Sequence, residues 1–248
     1  MHEPSVRLAG QGPLLVFVPG MDGTGELFYR QVPSLARRYR VATYALRERA
    51  AMEELVADLA QVIASAAPER RATVVGESFG GTVALSFALT HPEMLDRLVI
   101  LNSFPRFLPQ GRLQLAIGIL QALPFPWAVM SLVRRLTGFR LHSRHTHAQE
   151  VRRFLELTAR TTRAGYLQRL RVLRDYDVRE RLGEIQAPTL FLASDRDHLV
   201  PAVEQARYMA ERVPRAQVHI LRGHGHICLI APDLDLAQIL DEWTKVTA

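Results

Sequence analysis

Short runs of β-branched and aliphatic residues alternate with stretches of helical periodicity along most of this 248-residue chain, and that alternation narrows its possible folds most. Strand–helix–strand units in series build a parallel sheet, because parallel neighbours need a long crossover and helices must then cover both faces. Strands are predicted over 14–18 (LLVFV), 40–46 (RVATYAL), 72–76 (ATVVG), 97–103 (RLVILNS), 188–194 (PTLFLAS) and 216–223 (AQVHILRG). Helices are predicted over about 50–66, 79–90, 201–212 and 233–246, the first from apolar residues at helical spacing (Met52, Leu55, Val56, Leu59, Val62, Ile63). Six strands and their helices thus make an α/β layer. Residues 104–184 break the pattern with amphipathic stretches, prolines at 105, 109, 124 and 126, and no convincing strand. The expectation is an α/β core formed by 1–103 and 185–248, with 104–184 inserted as a helical lid.

A chain of this length buries roughly 70–75% of its unfolded surface, enough for one hydrophobic core without staples. Its 48% hydrophobic and 23% charged residues exclude disordered, collagen-like and coiled-coil classes. Cys228 is the single cysteine, so an intrachain disulfide, a cysteine zinc site and a CxxC redox pair are all excluded. The first residues lack a basic start followed by an apolar stretch of signal-peptide length. The most apolar region, 113–136, is interrupted by Gly118, Pro124 and Pro126, short of the roughly 20 apolar residues that a membrane-spanning helix needs. A cytoplasmic protein without a spanning helix is expected.

Net charge is +6, and its distribution says more than its sum: 104–184 holds 15 Arg against 6 acidic residues, leaving the remainder slightly acidic. Seven arginines (152, 153, 160, 163, 169, 171, 174) fall within or next to 151–173 and are expected to form an arginine-rich outer face. That face is read as a solvated surface, with contact to an anionic membrane or anionic substrate as the alternative. No nucleic-acid module accompanies the charge, and no nucleic-acid partner is expected.

The sharpest motif is Gly76-Glu77-Ser78-Phe79-Gly80-Gly81, placed where a buried strand turns into a helix. It matches G-x-S-x-G in the required context: small residues let strand and helix approach while a tight turn exposes the serine. The helix N-terminus behind Ser78 offers free N–H groups to a developing oxyanion. A serine needs a base and the base an orienting carboxylate. Asp195 and Asp197 follow the strand at 188–194, and His224 and His226 follow the strand at 216–223, all beyond carboxyl ends of strands, where open α/β sheets build their sites.

The order Ser, Asp, His, the elbow motif and the position of the insertion resemble the α/β-hydrolase family over nearly the whole chain. The resemblance implies Asp197, which stands four residues before the helix-opening Pro201, as the acid, with Asp195 capping a turn. It implies His226, which follows Gly225 and precedes Ile227-Cys228-Leu229-Ile230, as the base, with His224 a loop residue. It also implies that the amides of Met21 and Phe79 form the oxyanion hole, although Pro19-Gly20 stands where many relatives have His-Gly. The PG-x-DGTG and GESFGG runs are similar to the subgroup of plant esterase/lipase/thioesterase-like enzymes and phytyl ester synthases, whose further acyltransferase-like domain this chain is too short to contain.

The implied activity is serine-dependent hydrolysis of a small-molecule carboxylic ester with an apolar acyl or alcohol part, with no metal or organic cofactor. Acyl transfer or thioester hydrolysis by the same triad is the alternative, and a non-catalytic hydrolase-like binding protein is the reading from another class. Leu120, Phe125 and Trp127 belong to an apolar supply expected in part to face the pocket, with docking of the lid onto the sheet as the alternative. Asp22 and Thr24 read first as turn formers, with Asp22 also a candidate substrate contact. His91 and Asp96 have the H-x4-D spacing of acyltransferases but sit away from the site edge, and His142, His145 and His147 lack the spacing and carboxylates of a metal site.

Overall fold

The computed structural model describes residues 5–67, 71–122 and 141–247. Seven strands, β1 (Val6–Ala9), β2 (Leu14–Val18), β3 (Arg40–Tyr44), β4 (Ala72–Glu77), β5 (Leu95–Leu101), β6 (Thr189–Ser194) and β7 (Ala216–Leu221), form one sheet in the order β1-β3-β2-β4-β5-β6-β7. β1 pairs antiparallel with β3, and the other five pairings are parallel. Around the sheet lie α1 (Val32–Leu35), α2 (Met52–Ala66), α3 (Phe79–Thr90), α4 (Gln110–Ala122), α5 (Ala148–Thr158), α6 (Arg163–Asp175), α7 (Ala202–Ala210) and α8 (Leu236–Thr247).

Side chains alternate across a strand, so each central strand feeds two cores. Val16, Val18, Val74, Leu98 and Ile100 pack with α2, α3 and α7, whereas Leu15, Phe17, Val75, Val99 and Leu101 pack with α1 and α8. All of β2 and β4 is buried, which explains why these strands read as unbroken apolar runs. On the second face Phe28 stacks on Phe17 with ring centroids 4.1 Å apart, both fully buried.

The six expected strands are present within about two residues at either end. Two features depart from expectation. β1 adds a seventh strand, and its sequence VRLA, half-buried to exposed, carries no apolar run because it pairs only at the sheet edge. β5 ends at Leu101 rather than at residue 103, because Asn102 turns to a positive φ of 47°.

Within 104–184 the regular structure of the described residues is helical, joined by irregular segments, apart from one isolated bridge between His142 and Ile227. Leu113, Ile117, Leu170, Leu173 and Leu182 join the same buried cluster as α2 and α3, so these helices share the core of the sheet's first face. No helix among the described residues is long and apolar enough to cross a membrane.

Because the Phe17–Phe28 stack fills the second core, Phe28→Ala should cost about 3–5 kcal/mol of unfolding free energy, measured by urea denaturation. A loss below about 1 kcal/mol would show that the site collapses around the missing ring.

Candidate active site

β4 ends at Glu77 and α3 begins at Phe79, so Ser78 alone makes the turn, at φ 51° and ψ −116°. A non-glycine residue there is strained, and neighbouring bonds hold it. Ser78 N–H donates to Leu101 O (2.9 Å), and Ser78 O accepts from Ser103 Oγ (2.7 Å) and Gly81 N–H (3.0 Å). A methyl group on Gly76 would stand 2.5 Å from Gly80 O, and one on Gly80 would strike the carbonyls of Val18 and Pro19. These two glycines let helix and strand meet closely enough to thrust Ser78 from the sheet edge.

Ser78 Oγ lies 3.0 Å from His226 Nε2, and His226 Nδ1 lies 2.7 Å from Asp197 Oδ2. With its Nδ1–H donating to the carboxylate, the neutral ring has Nε2 left to accept the serine hydroxyl proton. The other oxygen of Asp197 accepts the N–H groups of Leu199 (2.8 Å) and Val200 (2.9 Å). The Asp197 side chain is wholly buried and that of His226 nearly so.

The neighbouring acid and histidine lie elsewhere. Asp195 Oδ1 accepts the Gly223 N–H (2.7 Å) and so caps the turn after β7. His224 is buried, with Nδ1 2.9 Å from Ser143 Oγ, and burial lowers its pKa.

On the other side of Ser78, a turn closed by Gly23 N–H to Gly20 O (3.0 Å) follows β2. Met21 N–H takes no part in closing that turn, and Phe79 N–H heads a helix whose first donors have no intrahelical partner. The Asp22 carboxylate accepts Thr24 N–H (2.8 Å) and Thr24 Oγ1 (2.5 Å), which fits the turn-forming reading of both residues. Leu120 is half-buried against the core at the end of α4, and its carbonyl accepts from Arg163. Phe125 and Trp127 lie outside the described residues.

Of the seven arginines expected on an outer face, Arg152, Arg153, Arg160 and Arg174 are exposed, Arg163 and Arg171 are half-buried, and Arg169 alone departs from the expectation. Arg169 is 4% exposed and points inward, donating from Nε to Met21 O (2.9 Å) and from Nη2 to Asp22 O (3.2 Å). Arg160 pairs with Glu26 (2.8 Å), and Arg153 lies 3.8 Å over the Tyr29 ring. Arg153, Arg160 and Arg169 thus reach from 148–175 to residues 21–29. His91 pairs with Glu93 (3.5 Å) and Asp96 with Arg71 (3.0 Å), at the end of α3 remote from Ser78. His142 is packed edge-on against Phe154, and burial pushes its pKa down to about 4.

Three supporting residues escaped the sequence reading. Asn102, 1% exposed, donates from Nδ2 to His226 O (2.9 Å) and Ser194 Oγ (2.9 Å), while its Oδ1 accepts Ser194 N–H (2.8 Å). It ties the ends of β5 and β6 to the histidine loop. Gln31, just before α1, ties that helix to the segment leading into α8, donating to Leu229 O (2.7 Å) and accepting from Leu236 N–H (3.0 Å). Arg169 is the third. An asparagine just past a β-strand carried a faint signal, since Asn tolerates positive φ; the other two carried none.

With this geometry in place, the chain belongs to the α/β-hydrolase fold family, whose model matches residues 13–231. It is 28% identical over 254 residues to RutD of Caulobacter sp. (strain K31), a protein named for carbamate hydrolysis, covering 97% of this chain and 94% of that one. It is 29% identical over 261 residues to the pimeloyl-[acyl-carrier protein] methyl ester esterase of Photobacterium profundum, covering 95% and 96%. Among solved structures, a thermophilic esterase from Thermogutta terrifontis superimposes with a TM-score of 0.84 at 20% identity, covering 98% of this chain and 93% of that one.

Glu77, beside the nucleophile turn, is 7% exposed, and burial together with nearby Asp22 pushes its pKa from the usual 4.5 up to about 8. Between those values the unfolded chain has lost a proton that the folded chain keeps, so this group's stabilising contribution falls as pH rises. Glu77→Gln should gain stability relative to wild type across that window, with a flat difference on either side. Melting temperatures of both proteins from pH 4 to 9 test this, and a pH-independent difference would place the carboxyl in an ordinary environment.

Proposed function

We propose that the chain is a serine hydrolase acting on carboxylic esters with an apolar acyl or alcohol part. The observation that carries this reading is the continuous hydrogen-bonded run from Ser78 Oγ through His226 to Asp197, set on a strained strand-to-helix turn. His226 Nε2 takes the hydroxyl proton as Ser78 Oγ attacks the ester carbonyl. The Met21 and Phe79 N–H groups receive the negative charge that develops on the carbonyl oxygen. Collapse of the tetrahedral intermediate breaks the C–O bond, and the histidinium returns its proton to the departing alcohol. Water, deprotonated by His226, then attacks the acyl-enzyme and releases the acid, restoring Ser78. Asp197 holds the ring in the required tautomer and stabilises the transient imidazolium.

The bacterial relatives named for methyl-ester and carbamate cleavage support an acyl-transfer chemistry of this kind. In this reading residues 104–184 act as the lid, and the apolar residues of α4 face the acyl group. Hydrolysis of p-nitrophenyl esters from acetate to palmitate tests the function. Wild type should turn over at least one member, and Ser78→Ala should fall by on the order of 10^4-fold or more. Equal turnover by the two proteins would overturn the assignment. Fluorophosphonate labelling of Ser78 without turnover of any ester would redirect it to acyl transfer or a narrower substrate.

A further inference from the structure

The turn that presents Met21 is fastened from outside the sheet. Arg169, on α6, drives its guanidinium into the first face of the fold, where Nε donates to Met21 O (2.9 Å) and Nη2 to Asp22 O (3.2 Å). Thr161, just before α6, adds a bond from Oγ1 to Asp22 O (2.9 Å). Space for the guanidinium depends on two glycines: a methyl on Gly23 would stand 2.6 Å from Arg169 Nη1, and one on Gly165 would stand 3.3 Å from it. A cation is costly to bury, so a guanidinium that is 4% exposed must be held by well-placed acceptors. Its acceptors here include two successive carbonyls of one turn.

The consequence follows from peptide planarity. Gly20 C=O and Met21 N–H share one trans peptide plane and point in opposite directions. The carbonyl accepts from Gly23 N–H inside the turn, so Met21 N–H is aimed outward. The next two carbonyls, of Met21 and Asp22, are pinned by Arg169 and Thr161, which removes the peptide rotation that would swing the donor away. Gly20 itself lies against the nucleophile turn, where a methyl group would be 3.6 Å from Ser78 Cβ.

We propose that Arg169 is a positioning residue for the oxyanion hole, acting through the backbone of Met21 and Asp22, so that α6 sets the transition-state binding of the site. This inference rests on the proposed serine-hydrolase reading, with Met21 as a donor. Because a donor misplaced by a fraction of an ångström binds the transition state less well while leaving the ground state almost unaffected, the effect falls on kcat.

The test compares wild type with Ser78→Ala, Arg169→Met, Arg169→Lys and Thr161→Val in steady-state hydrolysis of the best p-nitrophenyl ester. Inhibition by a trifluoromethyl ketone of matching chain length, whose serine adduct carries an oxyanion, is measured in parallel, with melting temperature as the control for folding. Arg169→Met should lower kcat about 10- to 100-fold with KM within about twofold, and the ketone's inhibition constant should rise by the factor lost from kcat/KM. Arg169→Lys should recover part of the loss, and Thr161→Val should show a smaller change of the same kind. If Arg169→Met does not fold, those two variants carry the test by the same two readouts.

A wild-type kcat in folded Arg169→Met, or a lower kcat/KM with an unchanged ketone constant, would overturn the positioning role while Ser78 dependence still stands. Turnover indifferent to Ser78→Ala would instead overturn the hydrolase reading, and this inference with it.

Discussion

The close approach of α3 to the carboxyl end of β4 is the constraint on which the site depends. Glycines at 76 and 80 bring backbone against backbone, and that contact leaves Ser78 only a strained conformation from which Oγ can project. The strain persists because Ser78 is bonded on both its N–H and C=O sides to Leu101, Ser103 and Gly81. α3 itself is buried around nearly its whole circumference, so it is held by the sheet and by α2 rather than by one amphipathic face. A rigid helix behind the nucleophile turn is what gives the first N–H of that helix a fixed direction.

Much of this was legible in the sequence because it is written in local rules. The two-residue alternation that sends Val16 to one core and Phe17 to the other is a property of strands, and the runs at 14–18 and 72–76 could not be mistaken. Ser78, Asp197 and His226 were legible as candidates because each lies within about five residues of a strand's carboxyl end and beside turn residues. β1 was not, since an edge strand needs only backbone pairing and VRLA has no apolar signature. Gln31 and Arg169 were invisible, and Asn102 nearly so, for a different reason. Apart from Ser194 Oγ, the partners named for them are main-chain groups about 90 to 205 residues away, and a main-chain group has no sequence identity to read.

The arginines of 104–184 show that an exposed charged face can still make contacts: four of the seven between 152 and 174 are exposed, and Arg169 alone is buried. A surplus of positive charge in one segment suggested an outward face. In the structure, Arg160 reaches Glu26, Arg30 reaches back to Glu150, Arg153 covers Tyr29 and Arg169 penetrates to the turn after β2. Glu26 lies before 104–184 and Glu150 within it, so the ion pairs run in both directions. Together with the apolar cluster that α6 shares with the sheet, these contacts fasten the helices of 148–175 to the elements around β2.

Asn102 gives this arrangement a mechanical character. Its single amide group joins the ends of two interior strands to the carbonyl of His226, so the imidazole is referenced to the interior of the sheet although it is carried on a loop beyond β7. Fraying of the edge strands leaves that reference intact, because β5 and β6 are interior. Separation of β5 from β6 removes it at once. Loss of the histidine's position and loss of the sheet are therefore one event, and heat inactivation should follow global unfolding rather than run ahead of it.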